Sequence, residues 1–289
     1  MSTPRPFGRA LCAMITPFTT DDTLDLDHAR RLAAHLVAEG CDGLVLSGTT
    51  GESPTTTDAE KAALVRAVRE EVGPDIHVVA GVGTPSTRHT VELARQAEEA
   101  GANGLLVVSP YYSRPPQDAV EAHFRTVADA TGLPVMLYDI PGRAGVRIGT
   151  ESLLRLAEHD RIVAVKDCTN DLLAATKVIG RTSLAYYSGS EETNLPLYAV
   201  GAAGYVSTVA NVVPALMRAP LDAHDKGDVA EATRLNHLTL PLSELMMASG
   251  LPGTVTVKAL LGIPVREPLR PASQDQVAAL QKAYDNLVH

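Results

Sequence analysis

The stretch RIVAVKDCTN, residues 161–170, is an apolar run that ends on charge. Ile162, Val163, Ala164 and Val165 are continuous in apolar character rather than alternating, which is how a strand buried on both faces reads. Lys166 and Asp167 then close the run. An ammonium group at the end of a buried strand is costly unless it is paired or neutralised. Two readings stand at this point: Lys166 is half of a structural ion pair, or it is kept there for its chemistry.

Runs of the same kind recur along the chain. They are ALCAMIT (10–16), GLVLSG (43–48), HVVAGV (77–82), GLLVVS (104–109), PVMLYDI (134–140), IVAVKD (162–167), LAYYSG (184–189) and GYVST (204–208). Amphipathic segments lie between them. Residues 25–39 put Leu26, Ala29, Leu32, Ala33, Leu36 and Val37 on one face, and Gly40 stops the helix. Residues 58–72 read as a helix with Asp58 as cap and Gly73 as stop; residues 86–100 open on Ser86 and close at Gly101. Eight strand–helix units predict an α/β fold of the (β/α)8 TIM-barrel type, which takes roughly 250 residues. A doubly wound sheet fits less well, because GVGTPS (81–86) is only half of a glycine-rich phosphate loop and reads as a tight turn. Patterns at 212–225, 227–248, 253–261 and 273–287 are helical. The expected division is a catalytic barrel over 1–225 and a C-terminal helical domain over 226–289.

Composition narrows the class. The chain has 289 residues, 45% hydrophobic, with a net charge of −9 and no basic stripe. Nucleic acid is therefore not an expected partner. No run of eighteen apolar residues predicts a membrane span, and MSTPRPFGRA (1–10) lacks the apolar stretch of a signal peptide. Three cysteines, Cys12, Cys41 and Cys168, are odd in number and widely spaced, as expected of a protein in a reducing cytoplasm. The nine histidines form no H-x-x-x-H pattern and the cysteines no C-x-x-C pair, so no metal site is predicted.

In a barrel, chemistry gathers where the strands end. The predicted strand ends carry Thr16, Ser47 to Glu52, Gly81 to Thr84, Ser109 to Tyr112, Tyr138 to Arg143, Lys166, Gly189 and Ser207. The other lysines, at 61, 177, 226, 258 and 282, fall in helical patterns. Lys166 is thus the candidate nucleophile: a neutral amine attacks a carbonyl to give a Schiff base. Lowering a lysine pKa from about 10.4 to about 7.5 takes about 4 kcal/mol of desolvation or charge effect. SGTTGES (47–53) places Thr49 and Thr50 between Gly48 and Gly51, a turn whose amides and hydroxyls suit a carboxylate. YDIPGRAG (138–145) adds a phenol that can relay protons, Tyr138, and a guanidinium that can hold a second carboxylate, Arg143. SPYYSRPP (109–116) adds Tyr111 and Tyr112 on a proline-braced loop.

GTTGE, PYYSRP, YDIPGR and VAVKD together, in this order and spacing, resemble dihydrodipicolinate synthase, of the N-acetylneuraminate lyase group of class I aldolase barrels. The likeness spans essentially the whole chain. It implies that Lys166 forms a Schiff base with pyruvate, and that Tyr138, Thr49 and Tyr112 match the proton relay, with Tyr112 reaching in from a neighbouring subunit. Thr49 and Thr50 match the positions that hold the pyruvate carboxylate, and Arg143 the arginine that binds L-aspartate 4-semialdehyde. Gly189 and Val206 match pocket-lining backbone, and Gly48 belongs to the carboxylate turn. No metal or organic cofactor is implied. A homotetramer, a dimer of dimers, is. Asp139 departs from the asparagine that many members have before IP. The cleft where some members bind inhibitory L-lysine aligns with Lys61, Pro85 and His89, a set that lacks the acceptors a cationic ligand needs, so no feedback inhibition is expected. Two rivals remain: another pyruvate-dependent aldolase or lyase of the same group, which would have no use for Arg143, and a barrel that only binds a ligand, which would not trap pyruvate.

Overall fold

The computed structural model describes residues 4–288. Eight parallel strands close into one barrel in chain order: β1 (Ala10–Ala13), β2 (Gly43–Leu46), β3 (His77–Gly81), β4 (Gly104–Val108), β5 (Val135–Asp139), β6 (Ile162–Asp167), β7 (Ala185–Ser188) and β8 (Gly204–Ser207). Closure is between β1 and β8, with Leu11 opposite Val206. Each strand is short, and nearly every residue in it is buried, as the continuous apolar runs require.

The helices around the barrel are α1 (Leu26–Ala38), α2 (Asp58–Val72), α3 (Thr87–Glu99), α4 (Gln117–Asp129), the one-turn α5 (Pro141–Ala144), α6 (Thr150–Leu156), α7 (Leu172–Ile179), α8 (Asn194–Ala199) and α9 (Pro214–Asp225). Three more follow: α10 (Val229–Ala248), α11 (Gly253–Leu261) and α12 (Gln274–Val288). α10 packs along α9, and α11 and α12 pack on α10.

The helix ends follow local chemistry. Ser86 caps α3 by accepting from the His89 amide, as its position predicts. Asp58 does not cap α2, which corrects the sequence reading. Thr57 does: its hydroxyl accepts from the Glu60 amide while the Glu60 carboxylate bonds the Thr57 amide. This reciprocal box is worth about 1 kcal/mol, and it frees Asp58 to pair with His89 at 2.9 Å. Gly40 and Gly73 end α1 and α2 with φ of 101° and 74°.

Strand alternation divides the core in two. Leu11, Val45, Val79, Leu106, Met136 and Ala164 fill the barrel interior with Tyr138 and Val206, and Phe7 belongs to the same interior cluster. Leu44, Val78, Leu105, Leu137 and Val165 face the helices. Lys166 lies two residues beyond Ala164 and so shares its inward face. Asp139 and Asp167 fall on the opposite, helix-facing side.

Candidate active site

Strand register brings the site together. Val108, Tyr138, Lys166 and Tyr187 are successive partners across β4 to β7. The Lys166 amine lies 4.5 Å from the centroid of the Tyr138 ring, and the two residues are only 5% and 4% exposed. Gly189, at the end of β7, lets the lysine run past: a Cβ there would sit 2.8 Å from Lys166 Cε and 2.4 Å from Cys168 Sγ. The backbone thus approaches the lysine closely because residue 189 has no side chain.

Burial drives the electrostatics. It pushes the Lys166 ammonium below its ordinary pKa, against the opposing pull of Cys168, Glu191 and Cys12. It also pushes the Tyr138 phenol well above 10, with the thiol of Cys168 adding to the rise and Thr49 and Arg143 opposing it. The result is an amine biased toward its nucleophilic form beside a phenol that keeps its proton to donate.

Two cavities open beside this pair. One, of about 220 Å³, is lined by Ser47, Gly48, Thr49, Tyr111, Tyr138 and Arg143, among others. The other, of about 640 Å³, shares Ile140 and Arg143 with the first and is bounded by Cys168, Gly189, Glu191, Glu192 and, from α10, Ser243, Glu244 and Met247. Lys166 lines neither space itself; its neighbours do, Tyr138 the first and Gly189 the second. Ser47 Oγ is buried without a hydrogen-bond partner on the wall of the smaller cavity.

The 47–52 turn is held at both ends by non-glycine residues with positive φ, 52° at Ser47 and 54° at Glu52. Thr50 is buried and its hydroxyl pairs with that of Thr208 at 3.0 Å; Thr49 is half-buried and faces the cavity. Val206 lines the barrel interior. Arg143, on the one-turn α5, is exposed at the mouth and forms no ion pair among the described residues. Tyr112 is not brought to the site of its own chain. It is 94% exposed, with φ of 71°, and it is Tyr111 that lines the cavity.

Several residues of the site were not legible in the sequence. Glu191 is a buried carboxylate that accepts from Ser207 Oγ (2.9 Å), the Thr208 and Val209 amides (2.7 and 3.1 Å) and Asn194 Nδ2 (2.9 Å), tying the ends of β7 and β8 together next to Lys166. Its place two residues beyond Gly189 was the only signal available. Lys258, read as an ordinary helical lysine, is fully buried against Glu52. Cys168 is half-buried and faces the larger cavity. Among the described residues, no three His, Cys, Asp or Glu side chains gather as a metal site requires.

A closed (β/α)8 barrel with a buried lysine at a strand end, a phenol against it and a hydroxyl-rich turn across the mouth puts the chain among the class I aldolase barrels. More particularly, the chain belongs to the dihydrodipicolinate synthetase family, whose profile matches residues 6–287. The 4-hydroxy-tetrahydrodipicolinate synthase 1 of Streptomyces coelicolor is 69% identical over 98% of this chain and 94% of its own length. A solved dihydrodipicolinate synthase from Bacillus anthracis superposes with a TM-score of 0.93 at 36% identity, over 96% of this chain and 98% of that one. The enzyme of Cyanidioschyzon merolae, solved with lysine bound, gives 0.94 at 34% identity, over 98% and 99%.

Proposed function

We propose that this chain condenses pyruvate with L-aspartate 4-semialdehyde to give 4-hydroxy-tetrahydrodipicolinate, a step toward diaminopimelate and lysine. The observation that carries the reading is Lys166: buried, held below its ordinary pKa by that burial, and stacked on the Tyr138 ring at 4.5 Å.

The chemistry follows from the groups present. Lys166 Nζ attacks the ketone carbon of pyruvate, and the carbinolamine loses water to leave an imine. The imine draws electrons from the methyl carbon, which loses a proton and becomes an enamine. That carbon attacks the aldehyde and forms the new C–C bond. The amino group of the second substrate then attacks the imine carbon, closes the ring and releases the lysine. Tyr138 and Thr49 pass the protons. The 48–50 turn, with the Thr49 and Thr50 hydroxyls, receives the pyruvate carboxylate, and Gly189 and Val206 shape the pocket. Arg143, exposed at the mouth, binds the carboxylate of the aldehyde. Its presence favours an amino-acid semialdehyde over a sugar acid.

Tyr112 completes the relay from a second copy. What supports this is that Tyr112 is 94% exposed on a loop whose neighbour, Tyr111, lines the cavity. The assembly we propose is a homotetramer built as a dimer of dimers. Three unbonded cysteines support a reducing, cytoplasmic setting. In the division of labour we propose, residues 1–225 carry the catalytic groups and residues 226–289 support them.

Borohydride reduction with pyruvate tests the reading. Wild-type protein should gain a stable adduct on the peptide containing Lys166, and Lys166→Ala should gain none. An adduct on Lys258 or Lys177 would overturn the assignment. A panel of aldehydes, assayed with pyruvate, tests the second substrate.

A further inference from the structure

Glu52 closes the carboxylate turn, and the C-terminal segment holds it there. Its carboxylate is 3% exposed and meets the Lys258 amine at 2.5 Å, while Lys258 is fully buried on α11. The other carboxylate oxygen accepts from the Arg266 amide at 2.9 Å. Lys258 also donates to the Pro264 carbonyl at 2.9 Å and lies 4.1 Å from the centroid of the Phe18 ring. One turn earlier on α11, the buried Thr254 hydroxyl donates to the Thr49 carbonyl at 3.4 Å. Three contacts from residues 254–266 therefore fix both the substrate-facing threonine and the glutamate that ends its turn.

A buried ion pair is a poor device for stability alone, because each charge must leave water and a well-packed apolar pair does as well. What the pair adds here is geometry. Glu52 sits in a left-handed conformation that a non-glycine residue adopts only under constraint. The two partners are 206 residues apart in sequence, so only the folded C-terminal helices can impose it.

We infer that Lys258, with Thr254, is a positioning residue for the turn that receives the substrate carboxylate: through Glu52 and the Thr49 carbonyl, α11 pre-forms the pyruvate pocket. The C-terminal helices are then part of substrate capture as well as of the packing. This inference rests on the pyruvate reading above.

The test uses the full chain and two constants: the pyruvate concentration giving half-maximal borohydride trapping, and the KM for the aldehyde. Lys258→Met should raise the first about tenfold, as loss of one charge-assisted contact predicts, and move the second by less than about threefold. Thr254→Val, a milder change, should raise the pyruvate constant roughly threefold. If Lys258→Met does not fold by circular dichroism, Glu52→Gln with Lys258→Met, which leaves no lone charge, replaces it; if that also fails to fold, Thr254→Val decides. Folded variants with a pyruvate constant within twofold of wild type would overturn the inference. So would parallel rises in both constants, the mark of general loosening. A wild-type protein that traps no pyruvate would overturn the Schiff-base reading itself, and this inference with it.

Discussion

Asp139 and Asp167 are register partners on β5 and β6, both buried and, among the described residues, both without an ion pair. Asp139 accepts the Ile148 amide, at 3.1 Å, and Asp167 the Thr169 amide, at 2.6 Å. Arg147, the nearby cation, is bonded to Asp171 instead. Burial pushes the Asp139 carboxyl up to about 7, the Ile148 amide opposing and the Asp167 charge adding to the rise.

The pair should make stability depend on pH. The folded chain keeps a proton on Asp139 that the unfolded chain loses above about 4. Its contribution is therefore fully present below about pH 4 and is lost as pH rises through 7. Asp139→Asn keeps an acceptor for Ile148 and removes the charge. Its stability relative to wild type should rise by on the order of 2 kcal/mol between pH 5 and pH 8, several degrees in melting temperature. Melting curves across that range give the answer, and a difference that does not vary with pH would refute the assignment.

Gly189→Ala should cripple the enzyme without unfolding it. The added methyl would meet Lys166 Cε at 2.8 Å and Cys168 Sγ at 2.4 Å. The lysine must shift, and a nucleophile displaced by about 1 Å can lose on the order of a hundredfold in rate. Trapping rate with pyruvate reads the effect directly. A rate within threefold of wild type would mean that the lysine has room to spare.

Arg143→Ala should damage use of the semialdehyde and spare pyruvate. A lost charge-assisted hydrogen bond is worth about 1.5–3 kcal/mol, so kcat/KM for the aldehyde should fall at least tenfold. Pyruvate trapping should stay within twofold. Equal losses for both substrates would place Arg143 in the architecture rather than in recognition.

L-lysine should not inhibit this enzyme at physiological levels. The groups aligned with the inhibitor cleft are already engaged or unsuitable: Lys61 donates to the Thr56 carbonyl, His89 pairs with Asp58, and Pro85 is exposed and has no amide proton. Asp58, a carboxylate beside these groups, is thus already paired with His89. A titration to about 10 mM lysine at saturating pyruvate should leave the rate unchanged. Half-inhibition below about 1 mM, which corresponds to binding of about −4 kcal/mol, would show that the cleft still works.

The barrel and its central lysine were readable from residues 161–170 and the seven runs like them. A strand buried on both faces has a local signature, and so does a charge placed at its end. Ser86 as a cap, Gly40 and Gly73 as stops and the cavity-facing Thr49 were readable for the same reason: each acts through its own neighbours in the chain. Asp58 misled because Thr57 beside it is as good a cap, and the Glu60 box decides between them.

The rest waited on the tertiary structure. Sequence spacing says nothing about which strand-end residues become register partners, so the Asp139–Asp167 pair emerged only when β5 met β6. Lys258 looked like any helical lysine until the fold carried it to Glu52, and Glu191 like any loop carboxylate until β8 closed beside it. Tyr112 faces away from its own site on a loop with two left-handed residues, Tyr112 and Arg114, a conformation that local sequence does not announce. Periodicity and residue chemistry are local and survive in one dimension; pairing, burial and the pKa shifts they produce belong to contacts across the chain, which only the closed barrel creates.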